Sequence, residues 1–318
     1  MMQPCSDEEA AAAVVFAERL REQRFAVDVE EFPARPPERR LLAYGFLSAI
    51  AGLATYPAPL LSALVGIAAI VLHARESEGR PLLHRHEWRG SNVRARSPAA
   101  SRPTLVVVAS AVVVPARFGA GPTRALVAML HAAMVTIAVA GAAVWVAAAG
   151  AAIPRWLAAG AAGTGVAVAA LSVALYRPRR GAAATESPAA ALLLDLAPAV
   201  HALPVWLLVA GTGGVSAFLD EHPETAGARW LNLEPSPDGG TYAVSEEGTW
   251  RERRADRFLL GAAEEAGAEA RRYRAAPTNA TVLLGRHRRA LTLMVGGDGT
   301  SLVLARDIAR AAAAEPAP

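Results

Sequence analysis

LLAYGFLSAIAGLATYPAPLLSALVGIAAIVLH, Leu41 to His73, carries no charged residue, and its reading decides what the rest of the chain must build. A helix that crosses a bilayer needs about 20 predominantly apolar residues. This stretch is too long for one such helix and short for two. Pro57 and Pro59 at its centre interrupt any continuous helix. The pattern predicts a tight hairpin of two short helices turning at TYPAP, with Arg39, Arg40 and Arg75 at its base reaching outward along their stems. A second apolar pair follows at 125–149 and 154–176, with Arg155 and Trp156 at the turn and RPRR closing it. Its frequent Gly and Ala permit close helix packing.

The expectation is therefore two transmembrane hairpins, at 41–73 and 124–178, giving about four spans. Arg35, Arg39, Arg40, Arg75, Arg80, Arg177, Arg179 and Arg180 cluster at their bases, against one Arg at the tips. That asymmetry places the bases, and everything attached to them, in the cytoplasm. Parity then puts the pieces at 1–40, 74–123 and 179–318 on one side, where they form three parts of one domain. The expected location is the bacterial inner membrane, with the lipid bilayer as a partner.

The remaining pieces alternate. Ser6 and Glu9 give a capping-box start to an N-terminal helix. FAVDVEEF, Phe25 to Phe32, alternates like a half-buried strand. TLVVVASAVVV, Thr104 to Val114, reads as a buried strand. Beyond Gly181 the pattern predicts helices at 188–201, 214–222, 252–267 and 301–313, and strands at 204–210, 228–234 and 289–295. Such alternation implies an α/β sheet covered on both faces.

Composition narrows the function. All 32 basic residues are Arg, against 29 acids, for a net charge of +3. The Arg and Ala bias fits a GC-rich bacterial genome. The Arg are dispersed without interleaved aromatics, so no nucleic-acid partner is expected. Cys5 is the single cysteine, which excludes an internal disulfide. MMQPCSDEEA is acidic where a secretion signal would be basic and apolar.

Several segments, in order, resemble the di-zinc aminopeptidases, the zinc exopeptidase family that includes glutamate-carboxypeptidase-like enzymes. They are AAVVFAERLREQRFAVDVEEF, GSNVRAR at Gly90 to Arg96, TLVVVASAVVVP, AAALLLDLAPAV, VWLLVAGTGGVSAFLDEHP, RWLNLEPSPDGG and ALTLMVGGDGT. The resemblance implies a mixed zinc-exopeptidase-like sheet with flanking helices. It also implies two zinc ions held by two His, a bridging Asp and further carboxylates, with a Glu as general base. Matched piece by piece, the ligand positions fall on Ser110 and Val112, near Thr185 and Glu186, around Thr212 and Gly213, and on Glu234. No His follows Met294. Glu234 alone retains an acid at its position. The expectation is a pseudoenzyme: a degenerate peptidase-like module without zinc that binds or scaffolds an unknown protein or peptide partner. An active metallo-exopeptidase, or another hydrolase with an unrecognised site, is the alternative.

GGDGT, comprising Gly296, Gly297, Asp298, Gly299 and Thr300, follows a predicted strand and precedes a predicted helix. Backbone N–H groups in such a turn can receive a phosphate or a lipid headgroup; a Gly-rich loop after an edge strand reads the same way. His84, His86 and Glu87 form a His-x-His-Glu string that suits either a metal or a solvated segment. His131 lies in an apolar stretch. Glu264 and Glu265 read as a solvated helix face, since adjacent helical positions diverge. Ser110 has no His or Asp at a serine-hydrolase spacing.

Overall fold

A computed structural model describes residues 7–34, 37–55, 57–77, 88–111, 132, 134–146, 155–176, 187–211, 213–248, 252–273, 278–297 and 299–315. Helix α1 (Asp7–Glu22) leads into β1 (Ala26–Ala34), as the alternation predicts. Helices α2 (Pro37–Ala54) and α3 (Pro59–Ser77) follow, then β2 (Trp88–Arg96) and β3 (Leu105–Ser110). Helix α4 covers 134–146 and α5 runs Arg155–Tyr176. The C-terminal part gives α6 (Pro188–Val200), β4 (Val205–Ala210), α7 (Gly214–Glu221), β5 (Arg229–Pro235), β6 (Tyr242–Glu247) and β7 (Arg253–Arg254). It closes with α8 (Arg257–Glu265), β8 (Ala270–Tyr273), α9 (Asn279–Gly285), β9 (Arg289–Val295) and α10 (Thr300–Ala314).

The strands form one mixed sheet in the order β1-β2-β4-β3-β5-β9-β6-β7, with β8 against β6. The centre is parallel: β4 and β5 flank β3, and β9 lies beyond β5. Strands β1 and β2 pair antiparallel with each other, and β2 with β4. Strand β6 runs antiparallel to β9. Because side chains alternate along a strand, the central strands are apolar on both faces. Leu105, Val107, Ala109, Leu207, Leu231 and Leu293 pack with α1, α6, α8 and α10 on one face. Val106, Val108, Trp206, Leu208 and Trp230 pack with Phe218 of α7 and Leu283 of α9 on the other. Phe218 meets both indoles edge-on, at 6.4 and 6.0 Å.

Local sequence sets the helix starts. Ser187 accepts the N–H of Ala190 and Pro188 opens α6, while Asp256 accepts the N–H of Leu259 at the start of α8. Thr278 and Thr281 form a capping box at α9.

The apolar segments require a correction. Among the described residues, no helix is long and apolar enough to cross a membrane, which overturns the transmembrane hairpins at 41–73 and 124–178 and the integral-membrane location. The reasons are visible in the elements. Helix α2 takes Glu38, Arg39 and Arg40 into its first turns, and α3 carries Arg75 and Glu76 in its last. Helix α5 opens on Arg155 and Trp156 and interrupts its apolar run with Gly160, Gly163, Thr164 and Gly165.

These helices pack through small residues. A Cβ on Gly52 would lie 2.5 Å from the Ala161 carbonyl oxygen, and one on Gly165 would lie 2.7 Å from that of Ser48. A Cβ on Gly66 would lie 3.1 Å from Ala138, and one on Gly141 2.8 Å from the Ala63 nitrogen. Ser62 donates to the Ala51 carbonyl at 2.6 Å and bonds Thr55 at 3.0 Å, joining α3 to α2. Met134, Ile137, Val144 and Val168 are buried among these helices, whereas Phe46, Leu53, Val139 and Trp156 are all more than half exposed.

Two further expectations change. The strand expected over 104–114 ends at Ser110, and the residues after Ala111 up to 131 lie outside the described set. The helix expected at 252–267 divides into β7 and the shorter α8, because Asp256 caps the helix late. Strands β6 and β8 and helix α9 have no counterpart in the sequence reading.

Candidate functional site

The carboxyl ends of the parallel strands gather a connected set of polar side chains on the α9 face. Ser110 ends β3, and Glu234 lies near the end of β5. Asn279, the first residue of α9, joins them. Its side-chain amide donates to Ser110 Oγ at 3.0 Å, and its backbone N–H donates to Glu234 Oε1 at 3.2 Å. Asn232, two residues before Glu234 and so on the same face, donates to Glu234 Oε1 at 3.3 Å and to Thr292 Oγ1 at 3.2 Å. The Thr292 hydroxyl in turn donates to Glu247 Oε2 at 3.1 Å. Thr278 donates to the same oxygen at 2.8 Å. The network thus runs from β3 through α9, β5 and β9 to the end of β6.

Its electrostatics are unusual for a protein interior. Burial pushes the Glu234 carboxyl above the ordinary carboxylate range, opposed by the Asn279 N–H and the Asn232 amide. Burial lifts Glu247 to about 7; hydrogen bonds from Thr278 and Thr292 oppose the rise, and the charge of Glu234 adds to it. Glu247 and Asn232 are 3% and 0% exposed. Among the described residues, Glu247 Oε1 and Asn232 Oδ1 each lack a hydrogen-bond partner. A buried carboxyl poised near neutrality can hold or release a proton. The neighbouring Ser110 hydroxyl accepts from the Asn279 amide.

Of the positions singled out in the sequence, Ser110 and Glu234 meet through Asn279. Gly213 sits in the loop after β4 with a φ of 79° and precedes α7. That loop is tied by buried Asn92, which accepts from the Gly211 N–H at 3.1 Å and donates to the Gly214 carbonyl at 3.0 Å. Val112, Thr185, Glu186, Thr212 and Asp298 lie outside the described residues, as do Cys5, His84, His86, Glu87 and His131. Glu264 and Glu265 lie exposed on α8. Asn232, Glu247, Thr278, Asn279 and Thr292 escaped the sequence reading. One signal was present: in RWLNLEP, Asn232 and Glu234 share a parity that is otherwise apolar.

The glycine loop between β9 and α10 faces the turn at 236–241. Gly296 N–H donates to Thr241 Oγ1 at 3.1 Å and Gly297 N–H to the Gly239 carbonyl at 3.3 Å. Ser301 bonds Thr241 at 2.7 Å. Gly299, with a φ of 73°, is the N-cap of α10. The amides of Gly296 and Gly297 are therefore committed within the fold.

The resemblance implies two zinc ions at this end of the sheet, and the two ligand positions described there, Ser110 and Glu234, do not fit them. Glu234 Oε1 already receives two N–H groups, and an amide stands at Ser110. The described histidines of the sheet domain lie elsewhere. His201 stacks edge-on against Phe25, His222 pairs with Glu30 and Glu224, and His287 occupies a turn at φ 58°.

No protein-family model matches the sequence, and no curated protein does. Among solved structures the chain is similar to BSAP, a zinc aminopeptidase from Bacillus subtilis, at 10% identity and a TM-score of 0.45, covering 98% of this chain and 89% of that one. It is also similar to a leucine aminopeptidase precursor from Bacteroides thetaiotaomicron, at 12% identity and a TM-score of 0.41, covering 98% and 90%. The LapA aminopeptidase of Legionella pneumophila gives 8% identity and a TM-score of 0.35, covering 98% and 74%. The likeness is one of outline and carries no chemistry.

Proposed function

We propose that the chain is a peptidase-like module that has given up metal-dependent peptide hydrolysis and acts by binding a protein or peptide partner. One observation carries this reading. At the carboxyl ends of β3 and β5, where the resemblance calls for zinc ligands, Ser110 and Glu234 are instead bridged by Asn279. A zinc ligand must offer a lone pair of an imidazole, thiolate or carboxylate at about 2 Å. Here the first position is a hydroxyl, and the carboxylate is turned to internal donors. Two metal ions cannot be held by one such oxygen.

The same bonds give the site a different use. They fix the start of α9 against the strand ends and leave a rigid floor on which a partner could dock without reacting. The test is turnover. The full chain, supplied with zinc and a panel of aminoacyl-p-nitroanilides, is expected to release no nitroaniline above the rate of a heat-denatured control. Turnover abolished by Glu234→Gln would restore a metallo-exopeptidase. Turnover abolished by Glu247→Gln alone would establish a hydrolase built on the buried carboxyl.

A further inference from the structure

A second cluster lies where the C-terminal end of α7 meets β1 and β2. His222 follows α7 directly, and its Nε2 stands 3.1 Å from both carboxylate oxygens of Glu30 on β1. Its Nδ1 stands 3.0 Å from Glu224 Oε1. Glu221 completes the group: one ligand atom from each of Glu30, Glu221 and His222 falls within 4.8 Å of the other two. The imidazole is held from behind by Phe218, with ring centroids 4.3 Å apart, and by the edge of Trp206 at 6.0 Å. The His222 and Glu30 side chains are 12% and 16% exposed, so the site is partly desolvated while open to an ion from solvent.

The charges do not balance. Arg94 pairs with Asp28 at 2.8 Å and with Glu30 at 3.1 Å, and Arg96 pairs with Asp28 at 3.3 Å. Against these two guanidiniums stand four carboxylates, those of Asp28, Glu30, Glu221 and Glu224. With a neutral imidazole, four minus two leaves a surplus of two negative charges, which a single dication would cancel.

We propose that Glu30, Glu221 and His222 bind one divalent transition-metal ion, with Glu224 orienting the imidazole. Glu224 accepts the Nδ1–H, which leaves the Nε2 lone pair directed at Glu30. An imidazole nitrogen with two carboxylates is a ligand set that zinc takes, with water completing the shell. Ligands about 2.1 Å from a tetrahedral metal sit roughly 3.4 Å from one another. The Nε2–Oε separation of 3.1 Å is already close to that, and all three ligand atoms lie within 4.8 Å of one another. The carbonyl end of α7 favours a cation at this place. Arg94 Nη1 lies 3.0 and 3.2 Å from the two ring nitrogens and its Nε 3.1 Å from Glu30, so an entering ion displaces these contacts and leaves Arg94 paired with Asp28. An ion here clamps the outer strand β1 to α7. The proposal stands apart from the reading of the cleft and does not depend on it.

Chelator-stripped full-length protein titrated with Zn2+ is expected to take up one ion per chain, and its thermal unfolding midpoint should rise. Glu221→Gln leaves an exposed position chemically altered and the fold undisturbed. His222→Gln keeps a polar side chain over Phe218. Both are expected to lose the ion and the rise in midpoint. No uptake by the wild-type chain, or equal uptake by both variants, would overturn the site. Aminopeptidase turnover by the zinc-loaded Glu221→Gln chain would instead refute the loss of hydrolysis, so the two failures are separable.

Discussion

Replacing Glu247 by Gln tests whether the end of β6 holds a neutral carboxyl inside the fold. The unfolded carboxyl titrates near 4.5 and the folded one at about 7. Between those values the folded chain keeps a proton that the unfolded chain has released. Stability from this group is therefore complete below pH 4.5, declines as pH rises to 7, and is level above. The difference of about 2.5 pKa units, at about 1.36 kcal/mol each, amounts to about 3 kcal/mol. About 1 kcal/mol of this is already lost at pH 5, so about 2 kcal/mol separates pH 5 from pH 8. Glutamine has nearly the same shape, accepts from Thr278 and Thr292 through its carbonyl, and does not ionise. Urea unfolding of both proteins, followed by circular dichroism from pH 5 to pH 8, isolates the effect because every other titrating group is common to the pair. The midpoint of Glu247→Gln should gain roughly 1 M on the wild type across that range, given slopes of about 1–3 kcal/mol per molar urea. Parallel pH curves for the two proteins would refute the buried neutral carboxyl.

The glycine loop gives a paired expectation. Gly296→Ala drives a Cβ into the Gly239 carbonyl and Thr241 and should lose about 1–3 kcal/mol in denaturant titration, whereas Gly297→Ala points into open space and should stay within about 0.5 kcal/mol. Asn92→Ala strips partners from the Gly211 N–H and the Gly214 carbonyl and should lower stability by about 2–4 kcal/mol, with faster amide exchange at Gly211 as its local signature. Gly165→Val drives a side chain into the Ser48 carbonyl and Ala49 between α5 and α2 and should lower stability by about 1–3 kcal/mol in denaturant titration.

Much of the sheet is readable from the chain, because buried parallel strands are short uninterrupted apolar runs. VWLLVA, RWLNLE and ALTLMV each lie within one residue of β4, β5 and β9. The misses share a cause. Strand β6, YAVSEE, ends in two acids and looks solvated, yet Glu247 is buried by contacts with Thr278 and Thr292, more than thirty residues further along the chain. Helix α9 is seven residues long, too short for a periodicity, and only its Thr278–Thr281 box announces it. The site was legible at Ser110 and Glu234 and illegible at Asn279, whose role comes from where the helix start lands. The apolar stretches misled because hydropathy registers side-chain chemistry without asking which way each side chain points.

That orientation has a thermodynamic consequence. In the paired helices, glycines and alanines meet at the seam while Phe46, Leu53, Val139 and Trp156 look outward. Apart from the buried Met134, Ile137, Val144 and Val168, pulling such helices apart uncovers little oily surface that water did not already touch. Heat-capacity change on unfolding scales with newly hydrated apolar area, so this part of the molecule should contribute less per residue than the sheet does. A calorimetric trace would show a heat-capacity step smaller than the chain's length suggests.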